Sequence, residues 1–229
     1  MWTRDQVAST IDHAVLKPFA TTQDVIEGCD LCKKHRVASL CVRPCDVPLA
    51  YEHLKDSGVK VCVVTGFPHG ANLPETKATE ARLALEQGAE EVDMVMNVGR
   101  FLSGDQDYVQ KDIEAVVAEA KKRGALVKVI QETCWLSPEQ VAQACKICEQ
   151  AGADFVKTST GFGDGPATPE VIDIMIKTVG QTMGVKASGG IRTWETAIGY
   201  LDQGCKRLGV ASTEQVLTGA PDDGKNESY

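Results

Sequence analysis

The stretch EQAGADFVK, residues 149–157, passes from a helix end through a glycine into a strand, and the chain does so again in EQGAEEVDM (86–94) and DQGCKRLGV (202–210). Such self-similarity marks one βα unit used several times. Gly58, Gly88, Gly124, Gly152, Gly184 and Gly204 each follow a helical pattern and precede a strand-like run. A helix C-cap favours a residue free to take positive φ, and all six are expected in that role.

The strand-like runs are apolar and β-branched: IDHAVL (11–16), ASLCV (38–42), KVCVVTGF (60–67), EVDMVMN (91–97), LVKVIQE (126–132), FVKTST (155–160), VKASG (185–189) and RLGVAS (207–212). Between them lie amphipathic helical patterns such as Val109, Ile113, Val116, Val117 and Ile172, Met175, Ile176, Val179. Ser137-Pro138-Glu139-Gln140 reads as a capping box with proline at the first helical position, and Thr168-Pro169-Glu170 as a second capped start. Eight βα units predict an α/β fold, a (β/α)8 TIM barrel: a closed, parallel, eight-stranded sheet inside a ring of helices. An open doubly wound sheet is the alternative, and the repetition favours the barrel. One catalytic domain over 1–219 and a flexible polar tail over 220–229 are expected.

Composition narrows the class. The chain has 229 residues, 43% hydrophobic and 24% charged, with a formal net charge of −8, which argues against a general nucleic-acid partner but leaves room for a local anion pocket. No apolar run reaches the roughly 18 residues of a membrane span, and the opening MWTRDQVAST lacks the build of a secretory signal, so a cytoplasmic protein is expected. Nine cysteines spread over helices and strands read as reduced thiols rather than a disulfide framework. The pairs Cys29/Cys32 and Cys145/Cys148 lie inside helical patterns without a metal-knuckle turn, and the four histidines form no ligand motif; no metal is expected.

Strands buried on both faces should be continuously apolar, yet Asp93, Lys128, Lys157 and Lys186 each sit inside one. Alternation puts Lys157 with Ser159, Lys186 with Ser188, Asp93 with Val95 and Lys128 with Ile130 on one face each, and if that face is the barrel interior the charges converge. A purely structural ion network, with Asp93 and Glu132 neutralising the lysines, is one reading. The other is chemical: excess positive charge disfavours protonation of at least one amine. A free lysine, pKa about 10.4, is unprotonated in roughly one molecule per few thousand at neutral pH, so imine chemistry needs that help. Spacing alone leaves Lys157 and Lys186 both open as nucleophile.

IDHAVLKP, SLCVRP, VVTGFPHG, EVDMVMN, VKVIQET, FVKTSTGF, VKASGGIR and RLGVAS, in that order, resemble the strand motifs of the deoxyribose-phosphate aldolase family, class I aldolases on (β/α)8 barrels. The resemblance implies that Lys157 of the KTSTG motif is the Schiff-base nucleophile, that Lys186 of KASGGIR perturbs it, and that Asp93 relays protons with Lys186. It implies reversible cleavage of 2-deoxy-D-ribose 5-phosphate, as in deoxyribonucleotide catabolism, with small sugar phosphates and aldehydes as partners, no cofactor, and a homodimer, since members are often dimers. Gly161, Ser188, Gly189, Gly190 and Ser212 are expected to bind phosphate through backbone N–H groups, with Arg192 nearby. Asp12, Cys41, Thr65, Lys128 and Thr158 are expected to line the pocket.

Phe162 stands where some members have lysine, and Ala211 where others have serine, which implies either weaker phosphate binding or greater reliance on backbone donors. Tyr229 is a candidate to reach back over the barrel mouth. Two further readings are a different lysine-imine aldolase acting on another sugar phosphate or keto acid, and a noncatalytic barrel sensing metabolites or thiol oxidation through its cysteines.

Overall fold

In the computed structural model of the chain, residues 2–221 are described; Tyr229 and the rest of the tail from 222 lie outside the described residues. Eight strands form the sheet: β1 Ile11–Val15, β2 Ser39–Val42, β3 Lys60–Thr65, β4 Glu91–Val95, β5 Leu126–Ile130, β6 Phe155–Lys157, β7 Gly184–Ser188 and β8 Arg207–Val210. They are parallel and close in chain order, β8 pairing with β1, so the barrel is formed and the open sheet is not. The helices are α1 Arg4–Ala8, α2 Thr22–His35, α3 Val47–Leu54, α4 Pro74–Glu86, α5 Val98–Leu102, α6 Gln106–Lys121, α7 Pro138–Gln150, α8 Pro169–Val179, α9 Trp194–Asp202 and α10 Thr213–Thr218. None is long and apolar enough to cross a membrane.

Local chemistry sets the boundaries. At α7, Ser137 accepts from the Gln140 N–H while Gln140 Oε1 accepts from the Ser137 N–H at 2.8 Å, and at α8 Thr168 accepts from the Val171 N–H. Each cap satisfies donors that a helix start leaves open, worth about 1 kcal/mol. Five of the six marker glycines hold the positive φ expected of them. Gly184 does not: it opens β7, and a Cβ there would fall 2.2 Å from Phe155 Cε1 on the neighbouring strand. Close approach, not handedness, selects that glycine. Conversely α2 ends on a left-handed Arg36, φ 52°, which a search for glycine overlooks.

Alternation along the strands divides the molecule into two layers. Leu40, Val42, Val61, Val63, Val92, Met94, Val127, Val129, Val156, Val185, Leu208 and Val210 face outward and merge with buried helix residues into one apolar cluster. Burying each such side chain contributes about 1.5–3 kcal/mol, so this outer layer holds the fold together. Cys29 and Cys32 on α2 and Cys145 and Cys148 on α7 belong to it, and all nine cysteines are unpaired. The inward positions carry a separate small apolar cluster, Cys41, Cys62 and Val64, and the apolar Val95 and Ile130, beside a set of buried polar and charged side chains.

Candidate active site

The inward positions of β1, β4, β5, β6, β7 and β8 carry Asp12, Glu91, Asp93, Lys128, Lys157, Lys186 and Arg207: four cations against three carboxylates. Lys157 and Lys186 are directly paired in the register of β6 and β7, as are Lys186 and Arg207 in β7 and β8. The carboxylates answer from other strands. Asp93 Oδ2 accepts from Lys157 Nζ at 2.6 Å and from Lys186 Nζ at 2.7 Å, while its Oδ1 accepts from Lys128 Nζ at 2.9 Å. Lys128 also pairs with Glu91 at 2.6 Å, Lys186 with Asp12, and Arg207 bridges Asp12 and Glu91. Ser39 Oγ donates to Asp12 Oδ1 at 2.7 Å.

Burial by itself would raise the Asp12 and Asp93 carboxyls, but the surrounding cations outweigh it and hold both well below the usual carboxylate range. For Lys186, burial favours the neutral amine, and Asp12 and Asp93 overcome it, so its pKa lies above the ordinary lysine value. Lys128 is held up in the same way, chiefly by Asp93. Lys186 therefore rests as a cation, sharing the same carboxylate oxygen as Lys157.

A pocket of about 210 Å³ opens above this network and reaches Lys157, Lys186, Asp12 and Cys41 at its floor. Its wall is made by the turns after β6, β7 and β8: Gly161, Ser188, Gly189, Gly190 and Ser212 all line it. Gly189 and Gly190 hold φ of +84° and +76°, and a Cβ on Gly190 would stand 2.7 Å from Pro166 Cβ. Such turns aim successive N–H groups at one point, which suits an anion.

Other expected residues lie elsewhere. Lys128 sits beneath the pocket as a partner of Asp93. Thr158 is buried behind β7, its Oγ1 donating to the Ser188 carbonyl at 3.0 Å, and fixes the ends of β6 and β7 together. Thr65 shares the outward face of Val61 and Val63 and does not line the pocket. Glu132 neutralises no lysine among the described residues; it accepts from the Thr160 N–H at 3.1 Å and from the Thr160 hydroxyl, shaping the turn after β6. Glu91 and Arg207 complete the charge network without having been read from the sequence, because a charge at a strand end looks like a solvated one. Gly209 was also missed: a Cβ there would lie 2.7 Å from Ser188 Cβ and 3.4 Å from Lys186 Cε, so its absence makes room for both.

Cys41 Sγ, Cys62 Sγ and an Asp93 oxygen lie within 4.8 Å of one another, the spacing of a metal-ligand set. The chemistry disfavours a cation there, since both Asp93 oxygens already accept from ammonium groups and the net charge of the network is positive. On the helices, burial pushes the thiols of Cys29 and Cys145 up to about 11 and about 12, which suppresses the reactive thiolate there.

The family model for DeoC/LacD family aldolases matches residues 6–212. The chain belongs to this family. Among DeoC/LacD aldolases, a deoxyribose-phosphate aldolase of Caldanaerobacter subterraneus is 50% identical over 212 residues, covering 92% of each chain. One of Thermococcus gammatolerans is 51% identical over 216 residues, covering 93% of this chain and 96% of the relative. A solved structure described as that of a tetrameric deoxyribose phosphate aldolase from Aeropyrum pernix superposes with a TM-score of 0.89 at 33% identity, covering 94% of this chain and 91% of that one.

Proposed function

We propose that this chain is a class I, metal-independent deoxyribose-phosphate aldolase: it reversibly cleaves 2-deoxy-D-ribose 5-phosphate to D-glyceraldehyde 3-phosphate and acetaldehyde through a Schiff base on Lys157. Relatives about half identical over more than nine-tenths of the chain carry that activity in their names. The observation that carries the residue assignment is the placement of Lys157 Nζ at the pocket floor, 2.6 Å from an Asp93 oxygen that Lys186 also holds.

In this reading Lys157 yields a proton to the Asp93 side of the network and its lone pair attacks the substrate aldehyde. The carbinolamine loses water to give the protonated imine. That imine is the electron sink: the C3 hydroxyl gives up its proton, the C2–C3 bond breaks, and its electron pair enters the enamine as D-glyceraldehyde 3-phosphate leaves. Protonation of the enamine at C2 and hydrolysis then release acetaldehyde and return the lysine. Asp93 and Lys186 exchange these protons, and the phosphate rests on the turns of Gly161, Ser188, Gly189, Gly190 and Ser212. A phosphorylated substrate and reduced thiols both fit a cytosolic enzyme. The homodimer expected from the family is checked by sedimentation against the tetramer described for the Aeropyrum protein.

Intact mass after incubation with acetaldehyde and borohydride tests the assignment. One reduced two-carbon adduct is expected, mapping to the peptide of Lys157 and missing from Lys157→Ala. An adduct that persists in the variant would transfer the role to Lys186.

A further inference from the structure

Four cationic side chains line the pocket: Lys157, Lys186, Lys17 and Arg192. The first two are committed to Asp93 and Asp12. Lys17 and Arg192 form no ion pair among the described residues, so their charge is not already committed to a carboxylate. A terminal phosphate brings up to two negative charges into the pocket, and backbone N–H groups alone supply only partial positive charge against them.

Lys17 differs from an ordinary solvated surface lysine in how firmly it is placed. Its Nζ lies 5.4 Å from the centroid of the Phe162 ring, within cation–π range. The Phe162 ring in turn packs edge-on against Phe67, with centroids 5.2 Å apart. Phe162 directly follows Gly161 of the anion-facing turn, so the ring holds the ammonium on that side of the mouth. The loop that carries Lys17 is clamped from the end of β2. Arg43 donates to the carbonyls of Lys17 at 3.2 Å, Pro18 at 3.4 Å and Ala20 at 2.9 Å, and is itself fixed by Asp46 at 2.7 Å. Three backbone bonds to one guanidinium order the loop before any ligand arrives, which lowers the entropy lost on binding.

From this placement we infer that Lys17 is the side chain that selects the phosphorylated end of the substrate, delivered by the loop after β1 and steered by Phe162. Phe162 is then a positioning residue: it presents the cation instead of contacting the phosphate by charge. Arg192, which forms no side-chain hydrogen bond or ion pair among the described residues, is secondary. This inference rests on the sugar phosphate reading above.

The test measures KM and kcat with 2-deoxyribose 5-phosphate and with 2-deoxyribose for the wild type, Lys17→Met, Lys17→Arg and Arg192→Met, together with calorimetric titration of inorganic phosphate. Loss of one partly exposed charge-assisted contact corresponds to about a tenfold change. Lys17→Met should raise KM for the phosphorylated substrate by that factor, weaken inorganic phosphate equally, and leave kcat and the unphosphorylated substrate unchanged; Lys17→Arg should recover most of the loss. Equal shifts for both substrates, unchanged phosphate affinity in Lys17→Met, or the whole effect appearing in Arg192→Met instead would overturn it. If inorganic phosphate binds through Lys17 while the wild type cleaves neither sugar, the anion site stands and the proposed reaction falls.

Discussion

Buried charge occurs on both sides of this sheet, and the two sides treat it in opposite ways. Outside the barrel, Lys77 of α4 and Asp112 of α6 form a matched pair at 2.5 Å, both fully buried, and Lys77 also donates to the Val95 carbonyl at 2.9 Å. Burial dominates there: it raises the Asp112 carboxyl and lowers the Lys77 amine against their mutual attraction. Inside, where four cations meet three carboxylates, the attraction dominates and Asp12 and Asp93 are held down. A one-to-one pair closed to solvent joins two helices. A network with a surplus cation opens to the pocket at Lys157, where a ligand can reach it.

The contrast is open to attack, most strongly at Asp93. Asp93→Asn leaves Lys128, Lys157 and Lys186 without the carboxylate they share, and a loss of about 3–5 kcal/mol in denaturant unfolding is expected, together with loss of the borohydride-trapped adduct. A variant that kept full stability would mean that the interior lysines were never held by this carboxylate.

Lys77→Met should cost less, about 2–3 kcal/mol at neutral pH, because Asp112 can escape by taking up a proton. The direction with pH follows from its raised carboxyl pKa: the folded state binds the proton more readily than the unfolded chain, so stability is greatest in acid and is lost as pH rises through the unfolded value towards the folded one. Asp12 and Asp93, being depressed, give the reverse, with stability present above the unfolded carboxylate pKa and lost as pH falls. Unfolding of Lys77→Met at two pH values checks this, and Lys77→Met with Asp112→Leu should regain most of the loss with turnover per folded molecule unchanged.

The smallest effect is expected at His13, which points out of β1 and shares a hydrogen bond with Thr213 Oγ1 at 2.9 Å. Burial first, and His35 second, push its pKa down to about 4. The native state keeps it neutral, so its contribution is complete above the unfolded value and fades as pH falls from about 6.5 to about 4. Replacing His13 with Gln should flatten that limb of the stability profile by about 2 kcal/mol, read from urea midpoints.

Period-two patterning made the eight strands legible, since one face of each had to be apolar to meet the helices. The charges in mid-strand stood out for the same reason: nothing in the outer layer accounts for Asp93, Lys128, Lys157 or Lys186. Glu91 and Arg207 escaped because they begin their strands, where a sequence gives no sign of which way a side chain turns. The choice between Lys157 and Lys186 was illegible for a geometric reason: the two are register partners, and alternation treats them alike. Lys17 was hidden further still, because its place depends on Phe162 and Arg43, neither of which is near it in the chain.

The register also bears on assembly. Lys157, Lys186 and Arg207 stand side by side on β6, β7 and β8, and like charges in adjacent strand positions repel. Their counter-charges arrive from Asp12 on β1 and from Glu91 and Asp93 on β4. The last three strands therefore do not make a sound sheet by themselves. They become one when β4 and β1 present those carboxylates across the barrel interior, and through Asp12 with Lys186 and Arg207 this ties the two ends of the polypeptide together.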